Sequence, residues 1–219
     1  MSTTLIRKNL MALTGLFLCL FLVVHLAGNL QLLLPPEQAA LQFNTYSKFM
    51  TGNPLIKTIS YLLYASIVGH VVYAVIITIK NRTASGSGYA YDRRGVSSAW
   101  YSRNMGLLGS VILLFLIVHM KDFWYEYKFG SLPQDQEGNK DLYSIVISAF
   151  GELWYVALYV VAMVALGYHM LHGIYSAFKT LGTYPRKLSG LLYYGGVGLT
   201  LILTAGYIII PVFVFFKYH

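Results

Sequence analysis

The feature that most constrains this chain is a set of five continuous apolar stretches, each long enough to cross a lipid bilayer as a helix. An α-helix rises about 1.5 Å per residue, so about 20 apolar residues match a hydrocarbon layer about 30 Å thick. With 57% hydrophobic and only 11% charged residues, the chain lacks the polar side chains of a water-facing surface, since soluble domains carry about 25% charged residues. The predicted spans are Leu10–Leu34, Leu55–Ile79, Met105–Trp124, Leu153–Phe178 and Leu188–Phe216.

These stretches predict an all-α integral membrane protein in which residues 1–219 form one transmembrane domain, a bundle of five helices. Pro54 fits the start of the second span, where a missing backbone N–H is harmless, and Pro211 is expected to kink the last helix. Between the first two spans, Pro35–Asn53 mixes apolar and polar residues and predicts a short interfacial helix. The Ser- and Gly-rich segment Ala84–Gly88 predicts a flexible loop.

Basic residues are distributed unevenly between the two sides of this bundle. One side holds ten of the 16 basic residues and a single acid, Asp92, whereas the other holds six basic residues and seven acids. Because cytoplasmic loops are enriched in Lys and Arg, the first side and the N-terminus are predicted to be cytoplasmic, in a multi-pass protein of the cell inner membrane. This topology explains the net charge of +8, and nucleic-acid binding is not expected. The ten residues are Arg7, Lys8, Lys80, Arg82, Arg93, Arg94, Arg103, Lys179, Arg186 and Lys187.

Five histidines interrupt the apolar spans: His25, His70, His119, His169 and His172. Ionisable side chains are unfavourable inside a bilayer, so each is a candidate functional residue. Counting the helical rise from the nearest inner basic residue places His25 and His119 about 24–26 Å deep, and His70 and His169 about 15 Å deep. Two levels are therefore predicted, roughly 10 Å apart, each with histidines from two helices.

Two neutral imidazoles from different helices can hold one metal ion between them, and haem iron accepts two axial histidines. Two levels then predict two haems, with His25 and His119 at the outer one and His70 and His169 at the inner one. Zinc fits less well because it takes four ligands at one point. For any single histidine, a packing role or a proton relay is an open alternative. His172 could replace His169, but we assign it to hydrogen bonding or proton transfer.

Haem propionates need cationic or hydroxyl partners near a membrane face. For the inner haem the candidates are Arg103, Lys179 and Ser176, and for the outer haem they are Lys121 and the aromatic residues around Trp124. Basic residues are expected at inner helix ends in any case. Glycines near the histidines leave room for a flat ring, although close helix packing accounts for them equally well. These glycines are Gly28, Gly69, Gly106, Gly109 and Gly173.

Three segments resemble the di-haem cytochrome b membrane subunit of succinate dehydrogenase and fumarate reductase. They are Val24–Asn29 (VHLAGN), Ser102–Met105 (SRNM) leading to Val118–His119, and His169–Ser176 (HMLHGIYS). The resemblance covers essentially the whole chain, with histidines in the first four of five spans.

This resemblance implies two haems b, the inner one bound by His70 and His169 and the outer one by His25 and His119. It also implies a flavoprotein subunit and an iron–sulfur subunit on the cytoplasmic side, and a quinone, menaquinone or ubiquinone, near the outer haem. Some relatives carry a glutamate two positions before the span-four ligand, in a proposed proton path, whereas this chain has Gly167. Asn29 and Gln31 are polar, close to His25 in sequence, and are candidates for quinone contact.

The sequence is therefore expected to encode an electron-transfer subunit of succinate:quinone oxidoreductase, working toward succinate oxidation or fumarate reduction. It contains no catalytic carboxylate pair, Gly-rich phosphate loop or nucleophile, so it is not expected to be catalytic alone. One alternative is the cytochrome b subunit of another respiratory enzyme, such as a hydrogenase or formate dehydrogenase. Another is a transporter or proton channel with a histidine relay, which requires acidic partners within the spans; the predicted spans have none away from their ends.

Overall fold

A computed structural model describes residues 3–84 and 99–218 of the chain. Of these residues 88% are helical and none belongs to a strand; a single isolated β-bridge joins Gln134 and Lys140. The all-α prediction is confirmed. Arg93 and Arg94, residues 85–88 of the predicted flexible loop, and the C-terminal His219 lie outside the described residues.

Nine α-helices follow one another along the described residues. Two short 3-10 segments, Leu30–Leu33 and Arg186–Leu188, and one π-helical segment, Met120–Tyr125, connect or extend them. The α-helices are α1 (Thr3–Asn29), α2 (Pro36–Gly52), α3 (Pro54–Ala84), α4 (Trp100–Arg103), α5 (Met105–His119), α6 (Glu126–Phe129), α7 (Leu142–Phe150), α8 (Leu153–Thr180) and α9 (Ser189–Tyr218).

Five helical stretches are long and apolar enough to cross a membrane, as the sequence predicts. They are Leu5–Leu33, Pro54–Asn81, Met105–Phe129, Leu153–Thr180 and Ser189–Tyr218. Each extends past the predicted apolar run at one or both ends, because helical backbone hydrogen bonding continues where side chains become polar. The first and third differ most, by five residues at one end; in the third, α5, the π-helical segment and α6 join without a break through Phe129.

The fourth span, α8, is the centre of the bundle. It packs against α1, α5 and α9, and 44% of its most apolar stretch is buried, compared with 6–28% for the other four spans. The other spans therefore present most of their surface outward, as lipid-facing helices do. Side chains on α8 can meet those of a different helix on each side.

Both long connections and the C-terminus meet at one end of the bundle, which we call the acidic end. Lys217 at the end of α9 donates a hydrogen bond to the carbonyl of Leu34 (2.9 Å). The hydroxyls of Tyr143 on α7 and Tyr218 on α9 lie 2.7 Å apart. The start of α1 lies at the opposite, basic end, as five crossings require.

Two further sequence predictions concern the helices themselves. Pro35–Asn53 was expected to contain a short helix, and α2 (Pro36–Gly52) confirms it; its position at a membrane interface stays a prediction. α3 begins at Pro54, as expected. α9 continues as one helix through Pro211, whose side chain is fully buried.

Candidate functional site

The rings of His25 on α1 and His119 on α5 form the first of two histidine pairs. Their centroids are 5.8 Å apart and their planes are nearly perpendicular, at 85°. Phe21 stacks on His25 with 5.1 Å between centroids, and Phe115 stacks on His119 at 5.5 Å. Aromatic rings thus pack against both histidines of this pair, which we call the outer pair after its predicted depth.

Tyr159 on α8 fixes the orientation of His119. The tyrosine hydroxyl lies 3.0 Å from Nδ1 of His119, and the tyrosine side chain is buried. A histidine whose Nδ1 is occupied in this way has Nε2 left to bind a metal ion. Such a second partner, which holds ring and tautomer, is typical of metal-ligating histidines.

The second pair joins His70 on α3 to His169 on α8. Their ring centroids are 6.2 Å apart, with an angle of 62° between the planes. Thr14 on α1 places its hydroxyl 3.1 Å from Nδ1 of His70, the counterpart of Tyr159 in the outer pair. Nδ1 of His169 is buried and has no hydrogen-bond partner among the described residues.

Three helices give the same spacing between the two pairs. Ten residues separate Tyr159 from His169 on α8, and eleven separate Thr14 from His25 on α1; on α5, Gly109 lies beside His169, ten residues before His119. These intervals correspond to about 15–17 Å of helix. The sequence analysis predicts roughly 10 Å along the membrane normal before helix tilt, and that separation stays a prediction.

The separation of the rings within each pair suits a shared metal ion. With metal–nitrogen bonds of about 2 Å, as in histidine–zinc sites, two imidazoles on opposite sides of one ion have centroids about 6 Å apart. The observed 5.8 and 6.2 Å agree with this value. Within residues 3–84 and 99–218, no three His, Cys, Asp or Glu side chains come together as a metal-binding group. The donor set of each pair is therefore two imidazoles, which is what bis-histidine haem ligation uses.

The glycines near the histidines divide into two kinds. A Cβ added to Gly69 or Gly173, which flank the inner pair in sequence, would meet no atom of the described chain within 4 Å, so both adjoin open space that could receive a flat ring. A Cβ on Gly28 would come 2.5 Å from Tyr46, so this glycine allows α1 and α2 to pack closely. Gly109, expected near His119, instead lies beside His169.

The predicted propionate partners differ in their surroundings. The Lys179 ammonium lies over the rings of Tyr175 (4.2 Å) and Tyr184 (5.9 Å), whereas Ser176 is half-buried on α8 and Arg103 is exposed at the end of α4. At the outer level, Lys121 pairs with Asp122 at 3.0 Å. The indole N–H of Trp124 donates to the Tyr64 hydroxyl (2.8 Å).

A cationic group that sequence reasoning missed lies near the start of α1. One guanidinium nitrogen of Arg7, Nη1, and the side-chain oxygen of Asn9 are buried and have no partner among the described residues. A buried guanidinium nitrogen without an acceptor is unfavourable unless an anion pairs with it. The sequence offers no signal for this role, because an arginine at the inner end of a span is expected in any membrane protein.

The two predicted quinone contacts lie in different surroundings. The Asn29 amide donates back to the carbonyl of His25 (2.7 Å). Gln31 lines a groove of about 560 Å³ at the acidic end, together with Leu41, Tyr46 and Phe49 on α2. This volume is within the range of small-molecule sites, about 300–1,000 Å³.

His172 and Gly167 occupy distinct positions on α8. His172 is half-buried, one turn beyond His169, and neither ring pair includes it. Gly167 packs against α9, where an added Cβ would lie 2.7 Å from the hydroxyl oxygen of Thr204. The glutamate that some relatives of the resembled family carry here has no room in this chain.

Comparison with known proteins adds no identification. No family model, no curated protein and no solved structure matches the chain.

Proposed function

We propose that this chain is the membrane anchor and electron-transfer subunit of a succinate:quinone oxidoreductase, with two b-type haems. One observation carries the proposal: four histidines from four helices form two ring pairs, each with the separation that a shared metal ion requires. Single intramembrane histidines have many uses, but two such pairs at two depths favour two equivalent cofactor sites. When bound, the haems would pass single electrons between the two membrane faces.

The chain's own residues prepare both sites. His25 and His119 would hold the outer haem, and His70 and His169 the inner one. Tyr159 and the Thr14 hydroxyl orient one imidazole in each pair. Apolar helices around the pairs exclude water, and a low local dielectric strengthens the remaining polar contacts.

At the basic end, Arg7 joins Arg103, Lys179 and Ser176 as a candidate partner for the inner propionates. Its buried, unpaired guanidinium nitrogen makes it the best placed of the four. The same end would face the cytoplasm of the cell and carry the flavoprotein and iron–sulfur subunits. The charge bias of the loops supports this orientation in the inner membrane.

Quinone is proposed to bind in the groove lined by Gln31 and Tyr46. Tyr46 packs against Gly28, one turn beyond His25 on α1, so the groove lies close to the outer pair. Leu41 and Phe49 offer apolar contact to a quinone ring, while Gln31 can hydrogen-bond a quinone oxygen. The quinone would be menaquinone or ubiquinone.

Two alternatives predict different observations. The cytochrome b subunit of a hydrogenase or formate dehydrogenase would share the haem sites, and the genes adjacent to this one would identify its partners. A proton channel requires a relay across the membrane. The hydrogen-bonded side chains that begin at Asp122 end at His119, so within the described residues they do not cross the bundle.

Counting haem in single variants tests the proposal. In the purified wild-type chain, reduced-minus-oxidised spectra should show two b-type haems. His25→Ala and His119→Ala should each remove the same haem, and His70→Ala and His169→Ala the other, because each haem needs both imidazoles of its pair. His172→Ala is the matched control and should retain both haems. A folded, haem-free protein from haem-replete cells, or losses in other pairs, would overturn the assignment.

A further inference from the structure

A chain of hydrogen-bonded side chains connects His119 to the acidic end of the molecule. From Nδ1 of His119 the distances are 3.0 Å to the Tyr159 hydroxyl, 3.4 Å from there to the Tyr155 hydroxyl, and 3.0 Å from Tyr155 to Oδ2 of Asp122. Tyr155 and Tyr159 are one turn apart on α8, and both are buried. The four side chains thus form a continuous path whose two tyrosines are buried.

Asp122 determines the direction of every hydrogen bond in this path. Its other carboxylate oxygen, Oδ1, pairs with the Lys121 ammonium at 3.0 Å, and a carboxylate only accepts hydrogen bonds. Tyr155 must therefore donate its single hydroxyl hydrogen to Asp122. Since that hydrogen is used, the oxygen of Tyr155 accepts from Tyr159, and the oxygen of Tyr159 accepts from Nδ1–H of His119.

The helix geometry places Asp122 where it can act on the path. Residues Met120–Tyr125 form a π-helical turn directly after His119, and π-helical insertions are frequent at functional sites. Within this turn, Asp122 is half-buried and reaches Tyr155 on α8, while Lys121 is exposed. The charged end of the path is at the protein surface and its neutral end is at the ring pair.

We propose that Asp122 acts through Tyr155 and Tyr159 to hold His119 in the tautomer that binds metal through Nε2. The three are positioning residues. The inference rests on the proposed function, since it concerns a haem ligand. A carboxylate at the end of the path also makes the imidazole a more electron-donating ligand, so the path lowers the reduction potential of the outer haem.

The inner pair supplies an internal comparison. Thr14 directs its hydroxyl hydrogen to the carbonyls of Leu10 (2.8 Å) and Met11 (3.1 Å), so its oxygen accepts from Nδ1–H of His70. No carboxylate stands behind this bond among the hydrogen bonds of the described residues. Changes at Asp122, Tyr155 or Tyr159 should therefore affect one haem and leave the other unchanged.

The test uses the full chain with its haems and measures three variants by redox titration. Asp122→Asn, Tyr155→Phe and Tyr159→Phe should each shift the outer haem to a higher potential, leave the inner haem unchanged and retain both haems. Asp122→Glu, which keeps the carboxylate, should shift the potential of the outer haem much less than Asp122→Asn. Tyr207→Phe is the matched control: its ring lies 6.1 Å from His25, but its hydroxyl donates to the carbonyl of Leu22, so the potentials should not change.

Combining Asp122→Asn with Tyr159→Phe separates a path from a charge acting through space. If Asp122 acts through the path, the outer-haem potential of the double variant should equal that of Tyr159→Phe alone, because the link is already broken. Additive shifts in potential would overturn the path. Histidine ¹⁵N NMR provides a readout that needs no haem. Protonation of His119 at Nδ1 is expected with or without cofactor, and protonation at Nε2 in the wild-type chain would overturn the inference. A haem-free wild-type chain with Nδ1 protonated would instead contradict the proposed function alone.

Discussion

At the scale of single residues, a hydroxyl group stands beside Nδ1 of one histidine in each pair. Thr14 does this for His70 and Tyr159 for His119. The hydroxyls come from different helices and residue types, yet each leaves Nε2 of the neighbouring ring available. Orienting a ligand before the metal binds reduces the entropy lost on binding, which raises affinity without a further contact to the metal.

Replacing Thr14 tests this role at the inner pair. Thr14→Ala removes the hydroxyl beside Nδ1 of His70 but leaves the ring's hydrogen bond to the backbone of Met11. It should therefore weaken haem binding at the inner site by about 10-fold, the lower end of the usual effect of losing such a partner. Thr14→Ser keeps the hydroxyl and should bind haem like the wild type. Titration of the haem-depleted protein with haem, followed by absorbance, measures the difference. Equal affinity in the Ala and Ser variants would show that the hydroxyl does not position His70.

At the scale of secondary-structure elements, α8 and α9 approach closely at Gly167. A Cβ at this position would lie 2.7 Å from Oγ1 and 3.2 Å from Cγ2 of Thr204, but 3.5 Å from its Cβ. The three described atoms nearest to an added methyl group thus all belong to Thr204, and removing its outer atoms would leave ordinary van der Waals distances. Small residues at helix contacts let membrane helices pack closely.

The distances predict a rescue experiment. Gly167→Ala should destabilise the bundle by about 1–3 kcal/mol, the usual effect of overpacking, and adding Thr204→Ala should restore most of the loss. Gly198→Ala on α9 is the control, since no atom lies within 4 Å of its added Cβ. Thermal unfolding of the detergent-purified variants measures the effect. A double variant no more stable than Gly167→Ala would place the strain elsewhere.

The connections at the acidic end form a second packed element around Asn44. This fully buried amide donates to Asp135 and Asp141 and accepts from the backbone N–H of Tyr143. Burial raises the pKa of both carboxyls, but hydrogen bonds from Asn139, Ser144 and Asn44 outweigh it and hold both pKa values below the ordinary range. The contacts that link α2 to α7 are therefore strongest while the two carboxylates are ionised.

Stability at the acidic end should consequently fall at low pH. A carboxyl whose pKa is lower in the folded than in the unfolded state stabilises the fold above its unfolded pKa, and the contribution is lost as pH falls through the folded value. Below about pH 4, the amides in α2 and α7 should lose protection against hydrogen exchange, relative to their intrinsic rates, before those in α8. With Asp135→Asn and Asp141→Asn combined, this selective loss of protection should disappear. If the selective effect persisted in this double variant, groups other than Asp135 and Asp141 would cause the loss of stability at the acidic end.

At the scale of the whole molecule, five crossings put the start of α1 and the end of α9 on opposite faces. The acidic end gathers α2, α7 and the end of α9 into one layer, whereas the basic end carries Lys80, Lys179 and Lys187. The two ends of the bundle therefore differ in both charge and structure.

Cysteine labelling checks this orientation. In intact cells, Glu37→Cys at the acidic end should react with a membrane-impermeant maleimide, whereas Lys187→Cys should react only after permeabilisation. The native Cys19 lies within α1 and is half-buried, so the wild-type chain is the background control. The reverse labelling pattern would place the basic end outside and would contradict the proposed docking of partner subunits.

The sequence by itself determined the number of spans and which histidines lie at the same level. Helical rise and bilayer thickness are nearly constant, so position along the chain converts to depth across the membrane. This is why depth alone paired His25 with His119 and His70 with His169, the same rings that meet in the structure. Their role as haem ligands stays a prediction that spectra of the purified chain can test.

Only the tertiary structure decided how the helices are rotated and which of them share a surface. Those properties depend on side-chain packing among all five spans, which the period of an apolar run does not encode because lipid and protein interior are equally apolar. The central place of α8, the hydroxyl partners of His70 and His119, the buried guanidinium nitrogen of Arg7 and the path from Asp122 all arise at this level. Depth depends on position along the chain, whereas the helix that a side chain faces depends on how the five spans pack in three dimensions.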